Sequence, residues 1–447
     1  MNNTLTQGNL AKAIMRFSIP YLIASFLQTF YGMADLFIIG QFNGADQVTA
    51  VSIGSQVMHM FTVIVVGLAM GTTISISLGV GARDYETIRK SIGNSIIIFV
   101  AFAVLSTATL LLNIANVLEV LKTPIESMEA AKAYLLVCFA GVPLIVGYNV
   151  ISSIYRGMGD TKSPMIFVGI SGVFNIGLDY LLVGGFQLGA MGAAVATITA
   201  QASSVLMALI FARKMQGEIR LSKHDLRIST NTTKHLLTIG TPIACQDGLI
   251  QISFLVITMI ANMRGLEVAA AVGIVEKIIS FLFLVPSAML STVSALSAQN
   301  AGAGYHDRGR KTLKYGITIC IIFGILVSIG CQLWAPEIVS AFVKNEPNVV
   351  LYGGQYLRAY CFDCIFAGIH FCFSGYFSAY GKSMYSFIHN VISIITFRIP
   401  GTYAASIFFT TNLFPMGLAA PMGSLLSAII CLGFYHRLKK SVSGLLE

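Results

Sequence analysis

The stretch "GVFNIGLDYLLVGG" at residues 172–185 decides how the rest of the chain is read. It is apolar except for Asn175 and, four residues on, Asp179. Four residues is close to one helical turn, so an amide and a carboxylate share one face of an oily helix. Outward from it, apolar runs of about 20 residues, the length that crosses a ~30 Å hydrocarbon core, recur from one end of the chain to the other. The 447 residues are 55% hydrophobic and 11% charged, with a mean hydropathy of +0.78. A soluble protein of this length needs far more charge to cover its surface.

The pattern predicts an all-α polytopic membrane protein with twelve spans, at 17–40, 48–79, 91–113, 133–155, 165–183, 188–211, 236–261, 268–298, 315–334, 350–377, 385–408 and 414–436. The second and eighth are long enough to tilt or to project from the bilayer. The leading "MNNTLTQGNLAKAIMRF" (1–17) carries no small-residue cleavage site, so the first span is expected to be retained. With the N-terminus placed inside, 21 Lys and Arg fall in the inner connections and four (Lys122, Lys132, Arg264 and Lys344) in the outer ones. By the positive-inside rule this places both termini in the cytoplasm, with the chain multi-pass in the plasma membrane. The net charge of +9 is thereby assigned to orientation and anionic lipid, not to nucleic acid. The eight cysteines lie mostly within spans, and Cys361 and Cys364 have no second pair or His at metal-ligand spacing; small buried thiols are expected.

Sliding the sequence against itself by 221 or 222 residues aligns its punctuation. "SIPYL" with Pro20 meets "GTPIA" with Pro242, and "NGADQVTAVSI" (43–53) meets "RGLEVAAAVGI" (264–274). "GVGARDYETIRK" (79–90) meets "NAGAGYHDRGRK" (300–311), "AYLLVCFAG" (133–141) meets "QYLRAYCFD" (355–363), and "IYRGMGDTKSP" (154–164) meets "GYFSAYGKSMY" (375–385). Residues 1–212 are therefore expected to form an N-terminal lobe of helices 1–6 and residues 236–447 a C-terminal lobe of helices 7–12. A basic cytoplasmic linker, 213–235, would join them. An even number of spans per repeat makes the repeats parallel, and two such pseudo-symmetric six-helix lobes around a central cavity are transporter architecture.

"FYGMADLFIIGQF" (30–42), "RGMGDTKSP" (156–164) and "FNIGLDYLLVGGFQLGAMGAAVATITAQ" (174–201) resemble the multidrug and toxic compound extrusion (MATE) family over essentially the whole chain. The resemblance is to the DinF-like branch. It implies a cluster binding Na⁺ or a proton at Asp35, Asn175, Asp179 and Thr197, and bending of helix 1 at Pro20. The NorM-like branch places acidic residues in helices 7 and 10, where this chain has Ile250 or Gln251 and Ala367, with Asp363 one turn away.

The residues support that assignment on their own chemistry. An Asp at mid-span costs roughly 2.5–3.5 kcal/mol on insertion scales and normally faces a cavity or a partner. Neither Asp35 nor Asp179 has a Lys or Arg nearby on its apolar length. A proton or a small cation such as Na⁺ must neutralise them, the carboxyls titrating as a coupled pair. Shifting the four positions by 222 gives Ile257, Phe397, Gly401 and Ala419, all apolar. A requirement of the fold would appear twice; a coupling site need appear once. The alternative role is interhelical glue.

Tyr31, Met33 and Met60 are candidates for a pliable wall against varied substrates, set against plain helix packing. Glu276 either contacts substrate or makes a structural pair across helices. Arg398, ahead of Pro400, is expected to be structural and to satisfy freed backbone carbonyls. Pro143, Pro286 and Pro400 are expected to mark kinks. His59, His370 and His389 lack partners at metal spacing.

The reading that follows is a cation-coupled (H⁺ or Na⁺) antiporter, not an enzyme, that exports amphipathic, often cationic compounds by alternating access. It needs no cofactor beyond the coupling ion, and a monomer in the lipid bilayer is expected. The alternative is a lipid-linked oligosaccharide flippase of the same superfamily. Among other classes, a membrane enzyme lacks H-E-x-x-H or G-x-S-x-G, and an ATP-driven pump lacks G-x-x-x-x-G-K-[ST].

Overall fold

The computed structural model describes residues 5–215, 221–222, 225–343 and 346–443, with no side chains described at 213–215 and 441–443. Lys344 and part of the expected linker 213–235 lie outside the described residues. No strand occurs among the described residues. Ten helices are individually long and apolar enough to cross a bilayer. Two bent pairs, Ile125–Ala140 with Val142–Gly157 (47°) and Pro347–Tyr360 with Asp363–Ala379 (40°), bring the spans to twelve.

The chain packs as two compact units, residues 19–240 and residues 5–18 together with those from 241 onward. The first unit takes most of α1 (Leu10–Phe42), then α2 (Ala45–Ala82), α3 (Tyr85–Leu112), the short α4 (Ile114–Val120), α5 (Ile125–Ala140) and α6 (Val142–Gly157). It continues through α7 (Lys162–Asp179), a π-helical stretch Tyr180–Gly185, and α8 (Gly189–Met215). The second unit takes most of α9 (Thr230–Asn262), then α10 (Leu266–Leu282), α11 (Leu284–Gly302), α12 (His306–Ser340), α13 (Pro347–Tyr360) and α14 (Asp363–Ala379). It ends with α15 (Ser383–Ser393), a second π stretch Ile394–Arg398, α16 (Ile399–Phe408) and α17 (Phe414–Ser443). The unit boundaries differ from those expected from sequence, because the first turns of α1 and of α9 each belong with the other half.

Lipid supplies no hydrophobic drive between helices, so small residues and hydroxyls hold the first unit together. On α2, Thr72 and Ser75 bond to Ser95 and Ser91 of α3, each at 2.8 Å. Thr73 and Ser77 donate to the carbonyls of Ser153 and Gly157 on α6 at 3.1 and 3.0 Å. Asp84 caps α3, accepting from the amides of Glu86 and Thr87 at 3.1 and 3.0 Å and from the Thr87 hydroxyl at 2.5 Å. Those bonds hold its carboxyl below the usual carboxylate range.

The duplication is written into the backbone. Gly159 (φ 89°) and Gly381 (φ 69°) are left-handed and 222 residues apart, and Arg83 (φ 54°) and Gly304 (φ 77°) are left-handed and 221 apart. Pro143 and Pro286 each fall in the first turn of a helix that follows a break, where a missing N–H is harmless, whereas Pro400 follows the π stretch Ile394–Arg398 with no break in the helix. One expectation is corrected: Arg156, counted with a cytoplasmic connection, lies inside α6 and is buried.

Candidate functional site

Three helices of the first unit bring the four predicted residues together. Asp35 comes from α1, Asn175 and Asp179 from α7, and Thr197 from α8. Asn175 is 1% exposed and Asp179 0%, whereas Val173 between turns is 75% exposed. The polar pair therefore sits on the inner face of α7 and the aliphatic residues on the outer one, as the one-turn spacing requires. Asp179 ends the α-helical part of α7, and the widened π turn begins at the next residue. Such widened turns inside helices recur at functional sites, because they re-aim side chains at the cost of regular hydrogen bonding.

Asp35, 4% exposed, lies within electrostatic reach of Asp179, Asn175 and Thr197. The Thr197 hydroxyl is 3.1 Å from Asp35 Oδ2 and 3.0 Å from the Ala193 carbonyl, so its one proton is divided between two acceptors. Asp35 Oδ1, both amide atoms of Asn175 and both carboxylate oxygens of Asp179 are buried without a hydrogen-bond partner. Among the described residues neither aspartate has an ion-pair partner. Burying an unpaired carboxylate costs several kcal/mol, whereas one hydrogen bond to a charged group returns about 1.5–3 kcal/mol. Thr197 alone does not balance two carboxylates. Carboxylate, amide and hydroxyl oxygens form a donor set suited to a proton or a hard monovalent cation.

Sequence reasoning missed Tyr134 and Cys138 of α5. Both are buried within electrostatic reach of Asp35, and the Tyr134 hydroxyl is 3.1 Å from Ser55 Oγ. Nothing in "AYLLVCFAG" marks them, since Tyr and Cys in an apolar helix are ordinary packing residues. Of the residues proposed for a substrate wall, Tyr31 packs its ring over Gly172 of α7, Met60 is half-buried and Met33 is exposed. Glu276 belongs to the second unit, where Thr258 of α9 donates to it at 3.1 Å. Pro20 lies inside α1, whose helix continues on both sides of it.

The second unit also buries an acid whose carboxylate oxygens have no hydrogen-bond partner. Asp363 is fully buried, but Arg398 lies within its electrostatic reach. Arg398 donates to the Tyr360 hydroxyl at 2.8 Å and stands 4.6 Å from the centroid of Phe254. Its partners are thus a phenol and a ring, in place of the backbone carbonyls expected from sequence. His370 and His389 place their rings 5.3 Å apart, and the His389 Nε2 is 3.0 Å from Ser374 Oγ. Among the described residues no three His, Cys, Asp or Glu side chains converge as a metal site.

A duplicated twelve-span bundle with an unpaired acidic cluster in one half has the form of a secondary transporter. The chain belongs to the MatE family, the multidrug and toxic compound extrusion transporters: the family profile matches it twice, over residues 20–181 and 242–404. Bacillus subtilis (strain 168) has a relative named probable multidrug resistance protein YpnP, 26% identical over 435 residues and covering 96% of both chains. A protein of Shewanella oneidensis named FAD transporter is 24% identical over 456 residues, covering 98% of this chain and 97% of its own. In fold, the chain matches a solved outward-facing multidrug resistance MATE family transporter with a TM-score of 0.90 at 24% identity, over 98% of this chain and 97% of the other.

Proposed function

We propose that this protein is a cation-coupled antiporter that exports amphipathic, often cationic compounds across the plasma membrane by alternating access. The observation that carries this reading is the buried group of five unpartnered polar atoms on Asp35, Asn175 and Asp179, in a unit whose repeat carries apolar residues at the matching positions. An incoming H⁺ or Na⁺ binds this group from the outside; α1 is then remodelled near Pro20, and affinity for the cargo falls. Ion and cargo must differ in affinity for the two conformations, and remodelling of α1 by the ion supplies that difference. The same residues support the DinF-like branch. The charge asymmetry of the connections favours cytoplasmic termini.

The test is transport in vesicles of purified protein, with Na⁺ and pH gradients imposed independently. One relative is named for multidrug resistance and another for FAD transport, so a panel of cationic dyes and FAD are both assayed. Gradient-driven dye movement is expected to fall at least about tenfold in Asp35→Asn, the scale of a typical coupling free energy. Unchanged transport in that variant contradicts the mechanism.

A further inference from the structure

Arg156 stands in "RGMGDTKSP" and takes no part in the cation cluster. It is 8% exposed, yet no carboxylate pairs with it among the described residues. The nearest acid in the motif, Asp160, is committed elsewhere: it caps α7, accepting from the amides of Lys162 and Ser163 at 3.0 and 3.1 Å and from the Ser163 hydroxyl at 2.5 Å. Arg156 donates through Nε to the Ser152 carbonyl at 3.2 Å, and its guanidinium lies 5.3 Å from the centroid of the Tyr21 ring. Four of its five N–H donors remain for another acceptor.

These groups border a cavity of about 60 Å³ between α1, α6 and α7, lined by Tyr21, Tyr148, Asn149, Ser152, Arg156 and Thr161 among others. The Ser152 hydroxyl is buried there without a hydrogen-bond partner. Asn149 donates one amide hydrogen to the Ile145 carbonyl and keeps the other. The cavity is rich in donors, holds a fixed positive charge and contains no acid. A buried cation without a counterion is strongly disfavoured, and a single aromatic face compensates it only in part. The volume equals about four water sites at roughly 15 Å³ each, which suits a compact anion and is too small for a whole drug.

We propose that the Arg156 cavity is a binding site for a compact anion: chloride, phosphate or a carboxylate group, held by the guanidinium and the Ser152 hydroxyl. The anion arrives either as a free ion or as the charged head of a cargo molecule. It contacts α1 at Tyr21, the residue after Pro20. The site is separate from the acidic cluster and stands whether or not that cluster couples transport.

The experiment is thermal unfolding of the purified full-length protein in detergent. The background is sodium HEPES, whose anion exceeds the cavity, and chloride, phosphate, acetate or an amphipathic carboxylate dye is titrated in. At least one addition is expected to raise the unfolding temperature saturably. Its midpoint should move about tenfold higher in Arg156→Gln and about threefold higher in Ser152→Ala, the losses expected for a charged and a neutral hydrogen bond. The half-exposed control Lys90→Gln on α3, outside the cavity lining, should leave it unchanged. Saturation by a small ion identifies a free anion; saturation by the dye alone identifies a cargo head group. No saturable stabilisation by any of the four, or equal midpoints in wild type and Arg156→Gln, overturns the proposal. If Arg156→Gln does not fold, Ser152→Ala decides on the same criterion.

Discussion

Thr197 is a neutral donor that reaches the acidic cluster from α8, and its proton is divided between Asp35 and a backbone carbonyl. Replacing it with the near-isosteric valine in Thr197→Val removes that shared bond and leaves both carboxyls in place. The expected result is a three- to tenfold weaker dependence of transport on ion concentration, from about 0.5–1.5 kcal/mol, with the maximal rate retained. Asp179→Asn removes one of two charges that a bound cation would meet, and coupled transport is expected to be lost at every ion concentration. Titrating transport rate against Na⁺ or H⁺ separates the two outcomes, since only the first is rescued by more ion. Asn175 and Asp179 were legible in the sequence because two polar residues one turn apart in an oily helix have few innocent explanations. Tyr134 and Cys138 were not, because their relevance comes from which helix α5 packs against. Arg156 was not singled out, because an arginine beside a Gly-rich turn reads as an orientation charge and the cavity it lines is visible only in the fold.

Helix ends and breaks carry the next layer of specification. Of the three prolines flagged as kinks, Pro143 stands at the 47° bend between α5 and α6, Pro286 follows a one-residue break, and Pro400 follows a π stretch in a continuous helix. The π stretch after Asp179 left no trace in the composition, because it is a property of backbone hydrogen bonding and "YLLVGG" also fits an α-helix. Asp84 was readable as a cap only once α3 was known to start at Tyr85. Asp84→Ala should cost about 0.5–2 kcal/mol of stability. Because the folded carboxyl is held below its ordinary range, that contribution is present at neutral pH and is lost as pH falls through the lowered value. A larger effect is expected where helices touch backbone to backbone. A Cβ on Gly71 of α2 would stand 2.2 Å from the carbonyl oxygen of Leu236 in the first turns of α9, and neither backbone can yield cheaply. Gly71→Ala is therefore expected to destabilise the protein by about 1–3 kcal/mol, despite the better helix propensity of alanine. Gly330→Ala, with nothing within 4 Å of its added carbon, should be neutral or stabilising in the same thermal measurement.

At the scale of the whole molecule, the duplication recurs in the backbone at Gly159 and Gly381 and at the in-helix prolines Pro20 and Pro242, and is incomplete in chemistry. Pro20 lies two residues beyond the point where α1 passes from one compact unit into the other, and Pro242 lies two residues beyond the same point in α9. Each proline removes one backbone hydrogen bond from its helix and crowds the preceding turn. The two positions are thus equivalent as structure. They differ in what lies further along the helix: Asp35 follows Pro20 on α1, whereas the position matching Asp35 on α9 is Ile257, buried in an apolar cluster. If ion binding acts by remodelling α1, the two prolines must differ in function although they match in geometry. Pro20→Ala is expected to lower gradient-driven transport about tenfold or more while cation binding persists, a loss on the scale of allosteric coupling energies. Pro242→Ala should change transport by less than about threefold, below the lower end of that scale. Parallel measurements of ion binding and of vesicle transport on both variants decide the matter. Equal losses of transport would make the prolines a shared requirement of the repeat and would remove the special role of the first unit.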